Sequence, residues 1–281
     1  MFADYENFYE EGVRKGMRTT WFITGDTHGS LKRFYPSNFY PENQENSKII
    51  ILGDSGFNYY LNGRDDKLKR EASRFKFTFY CVRGNHEARP QSLSTMETFY
   101  DEDVQGEVYW EPQYPNIRYF KDGGLYHFCG KNVLTIGGAY SVDKQYRLLR
   151  GWQWFADEQL NSLEKESIND KVFDFLKNNS VDLVLTHTAP INFEPTELFL
   201  SFINQEEVDK NIEEWLQRVY DILPQPFCWL FGHYHDDMIL SENVFMLYEK
   251  IVDLALVEPL RPSVAIPDGF RLSRNFDYKG E

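Results

Sequence analysis

Cysteine is scarce in this sequence. Cys81, Cys129 and Cys228 are its three cysteines, far apart and with no C-x-x-C pair. That excludes a disulfide framework and a thiolate zinc cage, and it fits a reducing compartment. Cys81 and Cys228 sit inside apolar runs and read as buried thiols. No apolar stretch approaches the length of a membrane span, so no membrane partner is expected. The opening residues, MFADYENFYEEG, lack the basic and apolar segments of a secretory signal. A cytoplasmic location is the resulting expectation. Positive charge is also short: 30 Lys and Arg face 44 Asp and Glu, for a net charge of −14. Such a surface repels nucleic-acid backbones, and no basic stripe reverses it locally, so no extended nucleic-acid-binding surface is expected. Any phosphate chemistry therefore needs a local positive source, which bound metal can supply.

Aromatic residues are plentiful, with 23 Phe, 18 Tyr and 6 Trp, and read first as a large aromatic core. No repeat, low-complexity tract or linker divides the 281 residues. One domain is expected over 1–281, with 1–17 and 259–281 as peripheral extensions. Five apolar runs end abruptly at polar turn residues. They are Trp21 to Thr24, Ile49 to Leu52, Phe77 to Val82, Val181 to Thr186 and Phe227 to Phe231. Runs of this length bounded by breakers predict buried strands of a mostly parallel sheet. Amphipathic helices are predicted over 64–76 and 156–178, and one or two over 196–222. A hairpin with a Gly-Lys-Asn turn is expected across residues 126–136, and another strand at Val244 to Tyr248. These pieces offer a second sheet, and the alternation of strands and helices predicts an α/β class.

The chain has 6 His, and five of them fall at or just past the ends of the five runs: His28, His86, His187, His233 and His235. Asp26, Asp54 and Asn85 accompany them. Parallel strands deliver such residues to one rim, beyond their carboxyl ends. Carboxylate and imidazole groups suit Zn, Mn, Fe or similar ions. Eight groups exceed the needs of one ion, and two divalent metal ions sharing a bridging carboxylate account for the number. Taken singly, Asp-x-His or Gly-Asp is ordinary turn chemistry. Gly-His-Tyr-His is more telling, because two His at i, i+2 after an apolar run have little structural purpose. His127, inside the hairpin, is read as structural.

In the order Gly25-Asp26-Thr27-His28-Gly29, Gly53-Asp54, Arg83-Gly84-Asn85-His86-Glu87, His187 and Gly232-His233-Tyr234-His235, these motifs resemble the calcineurin-like metallophosphoesterase superfamily. The resemblance implies a four-layer fold, a two-sheet β-sandwich flanked by helices. It implies that Asp26, His28 and His235 hold one metal, that Asn85, His187 and His233 hold the other, and that Asp54 bridges them. The implied reaction is hydrolysis of a phosphate ester by a metal-bridging hydroxide, on a phosphorylated small molecule, nucleotide or phosphoprotein. Asn85 would stabilise the phosphoryl oxygens and His86 would protonate the leaving group. A metal-binding scaffold without catalysis is the alternative, disfavoured because every ligand position and His86 are kept.

GDTHG and RGNHE look closest to the protein Ser/Thr phosphatase branch. That branch continues its second motif as Gly-Asp-x-x-Asp-Arg, where this chain has Phe57 and Asn58. The partner that orients the histidine and an arginine that grips phosphate are thus missing there. Arg83, Arg89, Arg147 and Arg150 are candidate substitutes, each read more readily as a surface charge. The loop 141–155 is a candidate overhang of the site.

Overall fold

In the computed structural model, residues 19–259 are described. The five apolar runs become strands covered on both faces: β1 (Thr20–Thr24), β2 (Ser47–Leu52), β3 (Thr78–Val82), β9 (Leu183–Thr186) and β10 (Cys228–Phe231). Side chains alternate across a strand, so each run feeds two layers. Trp21, Ile23, Ile50, Leu52, Tyr80 and Val82 point inward and meet Leu183, Leu185, Cys228 and Leu230 between the sheets. Phe22, Ile49, Ile51 and Phe79 point outward against Phe34, Phe39, Phe57 and Ala72. The aromatic excess fills these layers. Trp21 stacks on Phe128 with centroids 4.3 Å apart, and Phe75, Phe77 and Phe79 form a cluster.

The remaining strands are β4 (Glu97–Asp101), β5 (Gly106–Trp110), β6 (Ile117–Phe120), β7 (Gly124–Phe128), β8 (Lys131–Ile136), β11 (Met238–Ile239), β12 (Val244–Met246) and β13 (Val252–Asp253). One sheet runs β13-β1-β2-β3-β6-β5-β4 and the other β11-β12-β10-β9-β8-β7. Both are mixed. β1, β2, β3 and β6 are parallel neighbours, as are β8, β9, β10 and β12. The expected second sheet does gather the hairpin and the 244–246 strand. Its turn is Cys129-Gly130, both at positive φ, and Lys131 and Asn132 already belong to β8. The β4–β5 pair carries no apolar run and was not foreseen. It rests on cross-strand contacts such as Phe99 with Trp110, and on Arg118 lying over both rings.

Helices cover the outer faces. α1 (Gly63–Ala72) packs Ala72 against the outward side of the first sheet, and Asn62 accepts the Arg64 N–H at its start. α2 is Lys144–Arg150. α3 (Ser162–Leu176) starts later than the predicted 156 because Asn161 and Glu164 form a reciprocal capping box. α4 (Asn211–Ile222) buries Ile212, Trp215, Leu216 and Val219. α3 and α4 together cover the second sheet through Ile168, Val172 and Trp215. The predicted 196–222 helix is only α4. Residues 196–208 break into short 3-10 turns, one of them begun by Asn204 accepting the Glu206 N–H.

The layers are therefore helix, sheet, sheet, helices, as the α/β two-sheet reading expects. The predicted extensions lie outside the described residues, apart from Pro259. Cys81 and Cys228 are buried thiols. Among the described residues no helix is long and apolar enough to cross a membrane.

Candidate active site

The carboxyl ends of β1, β2 and β3 in one sheet and of β9 and β10 in the other converge on one rim. Each run stops within two residues at a glycine or a histidine, and the next residues turn inward. His28, Asp54, His233 and His235 all sit at positive φ, between 44° and 68°. Such backbone costs free energy in non-glycine residues and persists where surrounding structure fixes it. Glycine makes room for the approach. A Cβ on Gly84 would lie 1.9 Å from Asp54 Oδ1, and one on Gly53 would lie 2.0 Å from His187 Nδ1.

Both aspartates are buried, at 1% exposure, and each is held by a loop from elsewhere in the chain. Asp26 Oδ1 accepts the His233 N–H at 2.9 Å, and Asp54 Oδ1 accepts the His86 N–H at 2.8 Å. That leaves each Oδ2 facing the cluster. Asp26 Oδ2 lies 3.4 Å from His235 Nε2 and 3.7 Å from His28 Nε2, and those two ring nitrogens are 2.8 Å apart. Asp54 Oδ2 lies 3.0 Å from His86 Nδ1, 3.8 Å from His187 Nε2 and 3.9 Å from His28 Nδ1. His187 donates from Nδ1 to the Leu52 carbonyl at 2.8 Å, which aims Nε2 at Asn85 Oδ1, also at 2.8 Å. Asn85 is oriented by its Nδ2, which donates to Ser141 Oγ. The His233 ring packs 5.0 Å from that of His187. Burial, with His187 beside it, pushes His233 down to about 3 and so keeps it neutral, the form that ligates metal. All eight residues singled out in the sequence thus stand together. His127 does not: it is exposed on β7 and paired with Asn132.

A divalent cation fits these donors. Asp26 Oδ2 is buried without a hydrogen-bond partner. Asn85 Oδ1 points into the cluster, 2.8 Å from His187 Nε2, with its amide nitrogen turned away to Ser141. Among the described residues no lysine or arginine is ion-paired with Asp26 or Asp54. Buried carboxylates call for positive charge, which here must come from histidine or from a cation. Three sets of ligand atoms lie within 4.8 Å of one another: Asp26, His28 and His235; Asp26, Asp54 and His187; and His28, Asp54 and His86. The last set adds His86 to the groups able to reach a cation.

The surroundings of His86 were only partly legible. Phe57 and Asn58 are both buried, and Phe57 packs on Phe79 beneath the site. Loop 141–155 does overhang, and it supplies Asp143, whose Oδ1 is 3.6 Å from His86 Nε2. It also supplies Arg147, whose guanidinium lies 3.2 Å from His86 Nδ1 and grips Asp143 at 2.8 Å. Sequence reasoning missed Asp143, although its i, i+4 spacing to Arg147 was a usable signal. Burial works against a charged His86. The Asp54 charge and the Asp143 carboxylate nearby outweigh both burial and the Arg147 charge, and raise His86 to about 9.

The surface-charge reading holds for the exposed Arg150 and fails for the other three arginines. Arg83 is buried on Asp122 and the Glu158 carbonyl. Arg89 is buried on Glu164 and the carbonyls of Asp157 and Gln159. Both tie the β3 motif to the segment before α3. Arg147, His28, Asp54, His86 and Tyr59 line a recess of about 370 Å³.

Among solved structures, the chain is similar in fold to a phosphopantetheinyl hydrolase from Mycobacterium tuberculosis. Identity is 11%, the TM-score is 0.43, and 83% of this chain and 89% of that one are covered. It is similar also to a protein described as a candidate 5'-nucleotidase from Staphylococcus aureus, in complex with alpha-ketoglutarate. There identity is 14%, the TM-score is 0.39, and 83% of this chain spans 49% of that one. No curated protein matches the chain. The sequence profile of the calcineurin-like phosphoesterases matches residues 20–237, the span that contains every motif and every strand end of the site. The chain belongs to the calcineurin-like phosphoesterase family.

Proposed function

We propose that this chain hydrolyses a phosphate ester with the help of two divalent cations, of the manganese, iron or zinc kind. Asp26, His28 and His235 would hold one; Asn85, His187 and His233 the other; Asp54 would serve both. The observation that supports this reading most is the pair of buried carboxylates turned toward a cluster of imidazoles, with Asp26 Oδ2 left without a hydrogen-bond partner. When bound, such cations supply Lewis acidity, which activates water near neutral pH and offsets phosphate charge.

The chain's own residues do the rest. Arg147 is held by Asp143 and by the Tyr59 hydroxyl at 3.2 Å. Its guanidinium faces the recess that contains Asp54 and His86, where it grips phosphate oxygens. His86 holds a proton between Asp54 and Asp143 and gives it to the leaving oxygen as the P–O bond breaks. The water oxygen ends on phosphorus, the proton that water sheds passes to solvent and a proton from solvent restores His86, and the leaving group departs as an alcohol. Asp143 thus takes the orienting role that Phe57 and Asn58 cannot. Ser141 fixes the Asn85 amide toward His187.

The test is hydrolysis of p-nitrophenyl phosphate and of its bis ester by manganese-loaded protein. Turnover of at least one ester is expected, with a loss of about 10²-fold or more in His86→Ala. A metal-loaded chain that cleaves neither these esters nor any nucleotide would sink the proposal. Full turnover in His86→Ala would remove His86 from the role of proton donor.

A further inference from the structure

Beside the metal-ligand cluster lies a half-open chamber of about 250 Å³. Asp54, Asn85, His86, His233 and His235 form its reacting end. Tyr140, Leu198, Phe199, Ile203, Val208 and Tyr234 form its walls. Several of these come from the 196–208 segment, where the helical expectation failed. The chain there forgoes a helix and lays apolar side chains over the site. A cavity of about 150 Å³ admits benzene, so this one has room for a substituted ring.

Its polar lining is one-sided. Asp143, Glu194 and Glu213 are acidic, and Lys210 is the lysine among the lining residues. Lys210 is already spent on Glu194 at 2.7 Å, and Glu194 also accepts the Tyr234 hydroxyl at 3.1 Å. Glu213 differs. It is 3% exposed, its Oε1 accepts the Thr188 hydroxyl at 3.0 Å, and its Oε2 has no hydrogen-bond partner. Burial, with the charge of Glu194 nearby, raises this carboxyl to about 7 despite the Lys210 charge, as expected of an acid stripped of water. An unmet buried carboxylate oxygen beside a ligand-sized cavity is a place for a donor from outside.

We propose that this chamber receives the leaving group of the ester, and that this group is a compact aromatic alcohol with an ammonium on the side away from phosphorus, bound by Glu213. The inference rests on the phosphoesterase reading of the adjoining site. It disfavours a leaving group with further phosphates or carboxylates, which would meet three acids and a lysine already paired.

Four esters test it at pH 8 with manganese: 4-(aminomethyl)phenyl phosphate, phenyl phosphate, 4-carboxyphenyl phosphate and ethyl phosphate. Expected is a kcat/KM for the aminomethyl ester roughly tenfold or more above phenyl phosphate, with the carboxyphenyl ester lowest of the aryl esters. Glu213→Gln should reduce the aminomethyl advantage to about threefold or less. Phe199→Ala should lower the aryl esters relative to ethyl phosphate. Equal kcat/KM for the three aryl esters in the unaltered protein overturns the inference and leaves the phosphoesterase reading standing. If none of the four esters is cleaved, the phosphoesterase reading is left to the p-nitrophenyl esters and nucleotides, and calorimetric titration with 4-(aminomethyl)phenol decides the chamber by itself. Tighter binding than phenol, weakened about tenfold in Glu213→Gln, supports it. No binding, or equal binding by the variant, overturns it.

Discussion

At the scale of single residues, the site depends on groups that are held from two sides. Asp54 is fixed by the His86 N–H and crowded by Gly84, so that a methyl group there would collide with its carboxylate. His86 lies between Asp54 and Asp143, and both raise its affinity for a proton. Cations on Asp54 would draw down that residue's share and leave Asp143 as the main support for the protonated ring. Asp143→Asn should therefore cut kcat by about tenfold or more, and it should move the alkaline limb of the rate profile down by about one pH unit. The direction follows from the sign of the effect. A lost negative neighbour lowers the pKa of the imidazole, so the proton donor is lost at lower pH. A pH–rate profile of the variant that overlays the parent's would show that Asp143 does not act through His86. Arg147 carries the same lesson in a side chain that looked like a surface charge. It is buried because it serves Asp143 and the Tyr59 hydroxyl at once, beside the His86 ring.

At the scale of elements, helices are placed by caps as much as by their apolar faces. The Asn161–Glu164 box sets where α3 begins, and α3 in turn covers Leu134 and Ile136 of the second sheet through Ile168 and Val172. Asn161→Ala leaves N–H groups of the first turn unmet. It should cost about 1 kcal/mol in urea unfolding, with ester turnover kept, since Asn161 lies outside the cluster. An unchanged unfolding midpoint would mean that packing alone sets the start of the helix. Element type was legible where the period was clean. β1, β2, β3, β9 and β10 are apolar runs closed by breakers, and they came out as strands within a residue or two. β4 and β5 escaped because Glu97, Tyr100 and Glu107 are exposed and their pairing is with each other and β6. The 196–208 segment misled because its apolar residues have helical spacing but face the chamber, where no helix is needed.

At the scale of the whole molecule, four layers hold a rim of acids and imidazoles against a protein of strong negative charge. Not all of its buried acids are balanced. Glu213 titrates at about 7 in the fold, against an ordinary glutamate value of 4.5. Between those values the folded chain keeps a proton that the unfolded chain releases, so this group makes stability fall as pH rises. In Glu213→Gln that fall is absent. The variant should lose less stability than the parent between pH 5 and pH 8, by on the order of 3 kcal/mol in urea titrations of metal-free protein. Identical losses in the two proteins would show that Glu213 is ionised in the fold without penalty.

By itself, the sequence determined what kind of chemistry this protein carries. A strand that ends in a ligand residue, four times of five after a glycine, is a local feature, and five such ends in one order specify a rim, because parallel strands share a direction. Residue type then names the partner, since carboxylates and imidazoles without lysine call for a cation. Only the tertiary structure decided the pairings. The hold of the His233 N–H on Asp26, the reach of Asp143 and Arg147 to His86, and the chamber that Glu213 lines each join residues far apart along the chain or set on irregular backbone. Contacts of that kind leave no period in a sequence, because they are fixed by how the two sheets stack.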